Sequence, residues 1–176
     1  MGLQVQGLSY IHPNRDILFQ NINFAISSGE RCAIVGNNGV GKSTLLGIMA
    51  GMISPAEGCV LCDGVPYMIP QHFGQFDGLS VAEALGLAGK LRALSIILDG
   101  HGTEKEYELL NDEWDIQERL EEAFARWQIG HIAPDMLMGS LSGGEKTKVF
   151  LAGQDIYKPA IVLMDEPTNH LDTTGR

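Results

Sequence analysis

A glycine-rich loop between a short apolar run and a predicted helix constrains this chain more than any other stretch. It matches the phosphate-binding pattern G-x-x-x-x-G-K-[ST] at every fixed position. The loop consists of Gly36, Asn37, Asn38, Gly39, Val40, Gly41, Lys42, Ser43 and Thr44. The apolar run at residues 31–35 predicts a buried strand, and residues 45–50 predict a short helix. The motif therefore has the strand–loop–helix context that it needs.

The chemistry of this loop follows from its residue types. Gly36, Gly39 and Gly41 are expected to adopt backbone angles closed to other residues and to bring N–H groups close to an anion. The N-terminus of the helix directs unpaired N–H groups and its positive dipole end to the same place. Lys42 is expected to reach the β- and γ-phosphates, and the Ser43 hydroxyl to ligate Mg²⁺.

Charge and hydropathy exclude several classes of protein. The net charge of −10 argues against direct nucleic-acid binding, local patches aside. The N-terminus lacks the basic and apolar regions of a signal peptide. The most apolar long window, residues 81–98, contains Glu83, Lys90 and Arg92, which argues against a membrane span. We therefore expect a soluble, cytoplasmic protein without direct membrane insertion.

The three cysteines, Cys32, Cys59 and Cys62, are an odd number and suit a reducing compartment. The C-x-x-C spacing of Cys59 and Cys62 is compatible with a metal or redox pair. Gly58 before them and the Asp63-Gly64 turn after them favour buried cysteines in a short strand.

The N-terminal region predicts β structure. Leu3 and Val5 alternate with polar residues, and Ile22, Phe24 and Ile26 do the same further on. Tyr10 is expected in the link between the first two strands. It is either an ordinary tyrosine, which the pattern alone favours, or a ring that stacks on a nucleotide base.

Three stretches in the middle of the chain carry further signals. Gln71 follows a predicted strand at residues 66–69, where a glutamine can ligate Mg²⁺ or orient water, although a lone glutamine is a weak signal. Ser80 and Glu83 form a capping box that predicts a helix up to about Ala93. Residues 104–126 carry nine acidic and three basic residues at amphipathic helical spacing. Such a segment has either a solvated acidic face or, less commonly, an acidic binding surface.

Near the C-terminus a second glycine-containing sequence precedes a predicted helix that extends to about Tyr157. Its residues are Leu141, Ser142, Gly143, Gly144 and Glu145. By spacing alone, an ordinary capped helix and an anion site at the helix N-terminus are equally compatible with it.

The apolar run at residues 160–164 has no alternation, which predicts a parallel strand covered on both faces. The run ends in Asp165 and Glu166, at the edge where α/β sheets bind ligands. Asp165 is expected to hold Mg²⁺, and Glu166 to act as the general base for an attacking water.

Together these motifs resemble, in order and spacing, those of ATP-binding-cassette (ABC) ATPases. The tail from Asp165 to Asp172 and the Glu145–Lys148 sequence look like the ABC-F version of the motifs. The resemblance implies an α/β P-loop NTPase cassette with an N-terminal antiparallel β subdomain and a helical subdomain, the last core strands lying outside the chain. The implied division is a β subdomain and P-loop core at residues 1–75, a helical subdomain at 76–157, and a Walker B strand with its following loop at 158–176.

The resemblance also implies roles for individual residues. Tyr10 would stack on adenine, Gln71 would sense Mg²⁺ and water, and Asp172 would belong to a loop that meets the partner cassette. Asp165 and Glu166 would be the metal carboxylate and the catalytic base. The signature sequence of the family consists of Leu141, Ser142, Gly143, Gly144 and Glu145. Of these, Ser142, Gly143 and Gly144 would contact the γ-phosphate bound to the opposite cassette. The histidine switch of the family is expected about 30 residues beyond Glu166, and His170 is not that residue.

The implied function is Mg-ATP binding, with hydrolysis when a second cassette pairs with this one, in the same polypeptide or as a dimer. The ABC-F resemblance favours a soluble ATPase that acts on the ribosome through regions outside this chain. A motor subunit of a membrane transporter is the alternative. A genome-maintenance ATPase is disfavoured because no coiled-coil or zinc insertion interrupts the sequence.

Overall fold

The computed structural model describes residues 2–14 and 16–166. These residues divide into two compact units. Unit 1 contains residues 2–70 and 159–166, and unit 2 contains residues 71–158. The phosphate-binding loop and Asp165 therefore belong to unit 1, whereas the signature sequence belongs to unit 2.

Unit 1 contains an antiparallel sheet of three strands in the order β2–β1–β3. The strands are β1 at Leu3–Ile11, β2 at Ile17–Ile26 and β3 at Glu57–Cys62. The alternation predicted for β2 is confirmed, because Ile22, Phe24 and Ile26 are half-buried while the residues between them are exposed. Tyr10 lies inside β1, so its predicted position in the link between the strands is wrong.

The core of unit 1 forms where β1 meets the first helix, α1, at Lys42–Met49. Its fully buried side chains are Leu3, Val5, Leu8, Leu45, Leu46, Ile48, Met49 and Leu163. Burying one large aliphatic side chain contributes about 1.5–3 kcal/mol. A helix of only eight residues is unstable alone, so this packing fixes α1 and with it the phosphate-binding loop.

A second, parallel pair of strands completes unit 1. Strand β4, Tyr67–Ile69, pairs in parallel with β5, Val162–Met164. The parallel arrangement predicted for the apolar run that forms β5 is therefore confirmed. Coverage on both faces is not found, because Leu163 is 7% exposed whereas Met164 is 39% exposed.

The strand and the burial predicted for residues 31–35 are wrong. These residues form no strand and are all exposed, Ile34 by 40% and Val35 by 90%. An apolar run becomes a strand only where a neighbouring strand satisfies its backbone hydrogen bonds. Among the described residues β4 and β5 pair with each other, and residues 31–35 have no such neighbour.

The predicted burial of the two spaced cysteines is also wrong, although the strand that carries them, β3, is confirmed. Cys59 is exposed and Cys62 is half-buried, because β3 is an edge strand of the three-stranded sheet. The two positions are three residues apart and so point to opposite faces of the strand.

Unit 2 is helical and consists of α2 at Val81–Ala84, α3 at Ala88–Leu98, α4 at Glu104–Leu110, α5 at Ile116–Arg126 and α6 at Gly143–Tyr157. The single helix predicted up to about Ala93 is interrupted, because Gly86 adopts a left-handed φ of 72° between α2 and α3. The amphipathic acidic segment forms α4 and α5, which are separated at Asn111 and Asp112, both with positive φ. Short 3-10 turns at Gly74–Phe76 and Met138–Ser140 lie before α2 and α6.

Candidate nucleotide-binding site

The phosphate-binding loop ends at Gly41, which is the N-cap of α1 and has a left-handed φ of 98°. A Cβ atom there would lie 2.8 Å from Leu18 Cδ2 and 3.2 Å from Phe19 Cδ1. Only glycine fits both the backbone angle and the close approach of β2. Gly39 also has a positive φ, whereas Gly36 does not, so the unusual backbone angle expected at Gly36 is not found.

The ammonium group of Lys42 lies within the loop. Its Nζ donates hydrogen bonds to the carbonyl oxygens of Gly36 at 2.9 Å and Asn37 at 3.1 Å. The first turn of α1 contains no acidic residue, and no side chain caps it. Ser43, in that turn, is exposed. A positive charge, an uncapped helix N-terminus and an exposed hydroxyl group thus occur together on nine consecutive residues, a combination that suits a phosphate group.

A group of aromatic side chains connects Tyr10 to this loop. The Tyr10 ring centroid lies 6.1 Å from that of Phe19, and the His12 ring meets Tyr10 edge-on at 5.5 Å. Phe19 in turn packs against Gly41. Tyr10 is half-buried, so part of its side chain is accessible to a flat ligand such as a nucleotide base.

Asp165 and Glu166 follow the end of β5. The Asp165 N–H donates to the Ile69 carbonyl at 3.0 Å and so continues the pairing of β5 with β4 by one residue. Asp165 is 6% exposed, and Glu166 has a left-handed φ of 49°. Gln71 comes two residues after the end of β4 and is half-buried. The carboxylates thus follow the carboxyl end of a parallel strand, as the sequence predicts.

The signature sequence begins α6 in unit 2. Ser142 is the N-cap of α6, and both hydrogen bonds of the predicted capping box with Glu145 are present. The pKa of Glu145 is lowered to about 2, chiefly because the Ser142 hydroxyl donates to its carboxylate, and further by hydrogen bonds from His131 and from the Ser142 N–H. Leu141 is buried, whereas Ser142 and Gly143 are exposed and Gly144 is half-buried. The glycine-containing turn is therefore accessible while its leucine anchors it in the unit.

The pattern that resembles ABC-F proteins continues into residues 167–172. These residues, including Thr168, His170 and Asp172, lie outside the part of the chain that the structure describes. The predicted meeting of Asp172 with a partner cassette therefore stays a prediction.

A sequence profile of the ABC transporter family matches residues 19–169, which include the phosphate-binding loop, the signature sequence and both carboxylates. The chain belongs to the ABC transporter family. It is an ATP-binding ABC domain, and the assignment of individual residues to roles in ATP binding stays a prediction.

Known relatives of this ABC domain fall into different functional groups. It is 31% identical to the tylosin resistance ATP-binding protein TlrC of Streptomyces fradiae, over 97% of the chain and 35% of that protein. It is 32% identical to the energy-coupling factor transporter ATP-binding protein EcfA3 of Clostridium perfringens, over 98% of the chain and 60% of that protein. It is 33% identical to the ABC transporter F family member 4 of Arabidopsis thaliana, over 97% of the chain and 22% of that protein. The chain thus spans less than two thirds of the length of each of these relatives.

Solved structures confirm the fold. The structure of an ATP-binding subunit of an ABC transporter matches with a TM-score of 0.73 at 22% identity, over 99% of this chain and 70% of that one. The predicted α/β P-loop cassette with an antiparallel β subdomain and a helical part is therefore confirmed. Among the described residues, no helix has the length and apolar character needed to cross a membrane.

Two features of the site are missing from the sequence-based predictions. One is the packing of Leu18 and Phe19 against Gly41, and the other is the contact of His131 with Glu145, a residue 14 positions away. Neither lies in a motif or shows a periodic pattern, so no sequence signal of the kind used above identifies them.

Proposed function

We propose that this ABC domain binds Mg-ATP at residues 36–44 and hydrolyses it when a second cassette pairs with it. The position of Lys42 carries the proposal. Its ammonium group is held by the carbonyl groups of Gly36 and Asn37, beside an uncapped helix N-terminus. Both features favour a polyphosphate, because a cation and free N–H groups then act on the same negative charge.

The residues of unit 1 suit a nucleotide-bound magnesium ion. The Ser43 hydroxyl and the Asp165 carboxylate of unit 1 would hold the ion, and Gln71, the first residue of unit 2, is the third predicted ligand. Bound Mg²⁺ neutralises phosphate charge as it builds up during transfer. Mg²⁺ is usually held by one or two carboxylates and the phosphates of its nucleotide, and Asp165 would be such a carboxylate.

The other residues would position the nucleotide and the water. Tyr10 would stack on adenine, and the backbone N–H groups of Asn38, Gly39, Val40, Gly41 and Thr44 would surround the phosphates. Glu166 would accept a proton from the attacking water as the general base. Within the signature sequence, Ser142, Gly143 and Gly144 would contact the γ-phosphate bound to the opposite cassette. A complete site would then combine this loop with the signature sequence of a second cassette, in the same polypeptide or in a second copy.

ATP turnover as a function of protein concentration tests this pairing. For the chain alone at low concentration we expect nucleotide binding with little turnover. Turnover should rise steeply when a second cassette is supplied, or with concentration if two copies pair. Glu166→Gln should abolish turnover and leave ATP binding intact. Efficient turnover by a monomer, proportional to concentration and abolished by Glu166→Gln, would contradict the pairing.

For the whole protein we propose a soluble, cytoplasmic ABC-F ATPase that acts on the ribosome. The supporting observations are the residue pattern from Asp165 to Asp172 and the similarity to an F family member of Arabidopsis thaliana. The alternative is the ATP-binding subunit of a membrane transporter. A specific observation favours it about equally, namely the 32% identity to EcfA3 over 98% of the chain.

Co-sedimentation with ribosomes distinguishes the two. We expect the full-length Glu166→Gln protein to migrate with ribosomes in a sucrose gradient when ATP is present. The same protein with an additional Lys42→Ala substitution is the matched control, and it should remain at the top of the gradient. Absence of ribosome association, together with co-purification of a membrane-spanning protein, would favour the transporter subunit instead.

A further inference from the structure

The Glu145 carboxylate accepts three hydrogen bonds in the structure. Its Oε2 accepts from the Ser142 N–H at 2.8 Å and from the Ser142 hydroxyl at 2.7 Å. Its Oε1 lies 3.0 Å from His131 Nε2. The carboxylate, with its lowered pKa, is ionised at neutral pH and can only accept, so His131 donates from Nε2. One side chain therefore connects the start of α6 to the loop before it.

These hydrogen bonds use both the donor and the acceptor capacity of the Ser142 hydroxyl in the signature sequence. A hydroxyl group has one proton, and that of Ser142 is donated to Glu145. The same hydroxyl oxygen accepts from the Glu145 N–H at 3.3 Å. The orientation of Ser142 is thus set by the position of the Glu145 carboxylate, and the accessible donors nearby are backbone N–H groups of the helix N-terminus.

The negative charge of Glu145 opposes the approach of a phosphate to the start of α6. A γ-phosphate that approaches Ser142, Gly143 and Gly144 would meet the negative carboxylate of Glu145 in the same turn. Like charges this close repel each other, and an N–H group that donates to the carboxylate reduces the negative potential there. In the structure the partner in that position is His131, whose side chain is 63% exposed, while that of Glu145 is 32% exposed.

We propose that His131 is a positioning residue for the signature sequence: it holds Glu145 against Ser142 and offsets the carboxylate charge beside Gly143 and Gly144. This inference rests on the proposed function, in which those residues receive the γ-phosphate of the opposite cassette. His131 acts through Glu145 and does not itself contact the nucleotide.

A second ion pair on α6 provides a matched control. At the other end of the helix, Arg126 Nη1 lies 3.0 Å from Asp155 Oδ2, and Asp155 also accepts from Trp127 Nε1 at 3.0 Å. Like the contact between His131 and Glu145, this pair holds α6 through an exposed side chain, that of Arg126 being 65% exposed. It lies far from the signature sequence along the helix. Arg126→Ala therefore removes a comparable contact without affecting Ser142.

The test is a double-mutant cycle in the full-length protein with His131→Ala, Glu145→Gln and their combination, with Arg126→Ala as the control. We expect His131→Ala to lower ATP turnover about two- to fivefold, the range of an exposed ion pair. The affinity of this domain's own loop for Mg-ATP should not change. In the Glu145→Gln protein, His131→Ala should have little further effect. His131→Gln, whose amide can donate to Glu145, should lose less turnover than His131→Ala.

A second measurement, independent of nucleotide, is amide hydrogen exchange of residues 142–146, which His131→Ala should accelerate and Arg126→Ala should not. The inference is overturned if the effects of His131→Ala and Glu145→Gln on turnover multiply, if Arg126→Ala lowers turnover equally, or if exchange at residues 142–146 does not change. If the wild-type protein neither binds nor hydrolyses Mg-ATP, the proposed function fails, and exchange alone then decides whether His131 holds Glu145.

Discussion

Gly41 is the residue at which the phosphate-binding loop is most sensitive to substitution. Its φ of 98° and the 2.8 Å approach of Leu18 to an added Cβ both oppose any side chain. We expect Gly41→Ala to destabilise the protein by at least about 1–2 kcal/mol, the cost of a left-handed alanine. It should also weaken Mg-ATP binding by displacing the loop. Thermal unfolding with and without nucleotide measures both effects. Gly78→Ala, at a glycine with open space around it, is the control and should change neither.

Glu145 makes the stability of α6 dependent on pH. Folding lowers its pKa from 4.5 to about 2, chiefly through the hydrogen bond from the Ser142 hydroxyl. The ionised carboxylate therefore stabilises the fold above about pH 4.5, and this stabilisation is lost as the pH falls towards 2. We expect wild-type protein to be more stable than Glu145→Gln at pH 6, with the difference shrinking below pH 4.5. Melting temperatures of the two proteins across this pH range measure the difference in stability, with Glu122→Gln as the control variant. A difference between wild type and Glu145→Gln that does not change with pH would contradict the account.

At the scale of single residues, the sequence was informative where a motif fixes both the residue type and its neighbours. Lys42 and the Ser142–Glu145 capping box are examples, because their partners lie within six residues. The sequence pattern predicts a link at Tyr10, because a residue type alone does not show how far β1 extends. The contacts of His131 with Glu145 and of Phe19 with Gly41 depend on tertiary packing, which no local pattern encodes.

At the scale of elements, α6 contributes a buried aromatic side chain, Phe150, to the core of unit 2. Phe150, 4% exposed, stacks on Phe73 at 5.3 Å and meets Phe76 at 4.9 Å. We expect Phe150→Ala to lower the free energy of unfolding by about 3–5 kcal/mol, because it removes a large buried ring and leaves a cavity. Tyr107→Ala, at an aromatic residue that is 50% exposed, is the control and should cost much less. Urea denaturation of the variants measures the difference, and equal effects would contradict this packing.

The helices also show which parts of an element a sequence reveals. Helix starts at Ser80 and Ser142 were predictable, because a capping box is a local hydrogen-bonding pattern. The break after α2 was not, because a glycine within an apolar stretch can continue a helix, and Gly86 instead turns the chain. The strand predicted at residues 31–35 is wrong for a different reason. Their apolar composition predicts burial, but a strand also requires a neighbour with which to pair, and composition does not supply that information.

At the scale of the whole molecule, membership of the ABC transporter family and the cassette fold agree with the order of the motifs. The function of the whole protein is less determined, because a transporter subunit and an F family member match the chain at similar identity. The motifs describe the chemistry of ATP, which both groups use, and they do not describe the partner on which each acts. The central claim is therefore the one that the motifs address directly, namely that the loop at residues 36–44 binds Mg-ATP.

Calorimetric titration of Mg-ATP into the wild-type and Lys42→Ala proteins tests this claim most directly. Within the described part of the chain Lys42 donates to two backbone carbonyls, so its loss should leave the fold stable to within about 1–2 kcal/mol, as unfolding of the variant without nucleotide will check. We predict saturable binding with one nucleotide per domain in the wild type, and affinity at least about tenfold weaker in Lys42→Ala, a difference of about 1.4 kcal/mol or more. No saturable binding by folded wild-type protein, or equal affinity in the two proteins, would contradict the account.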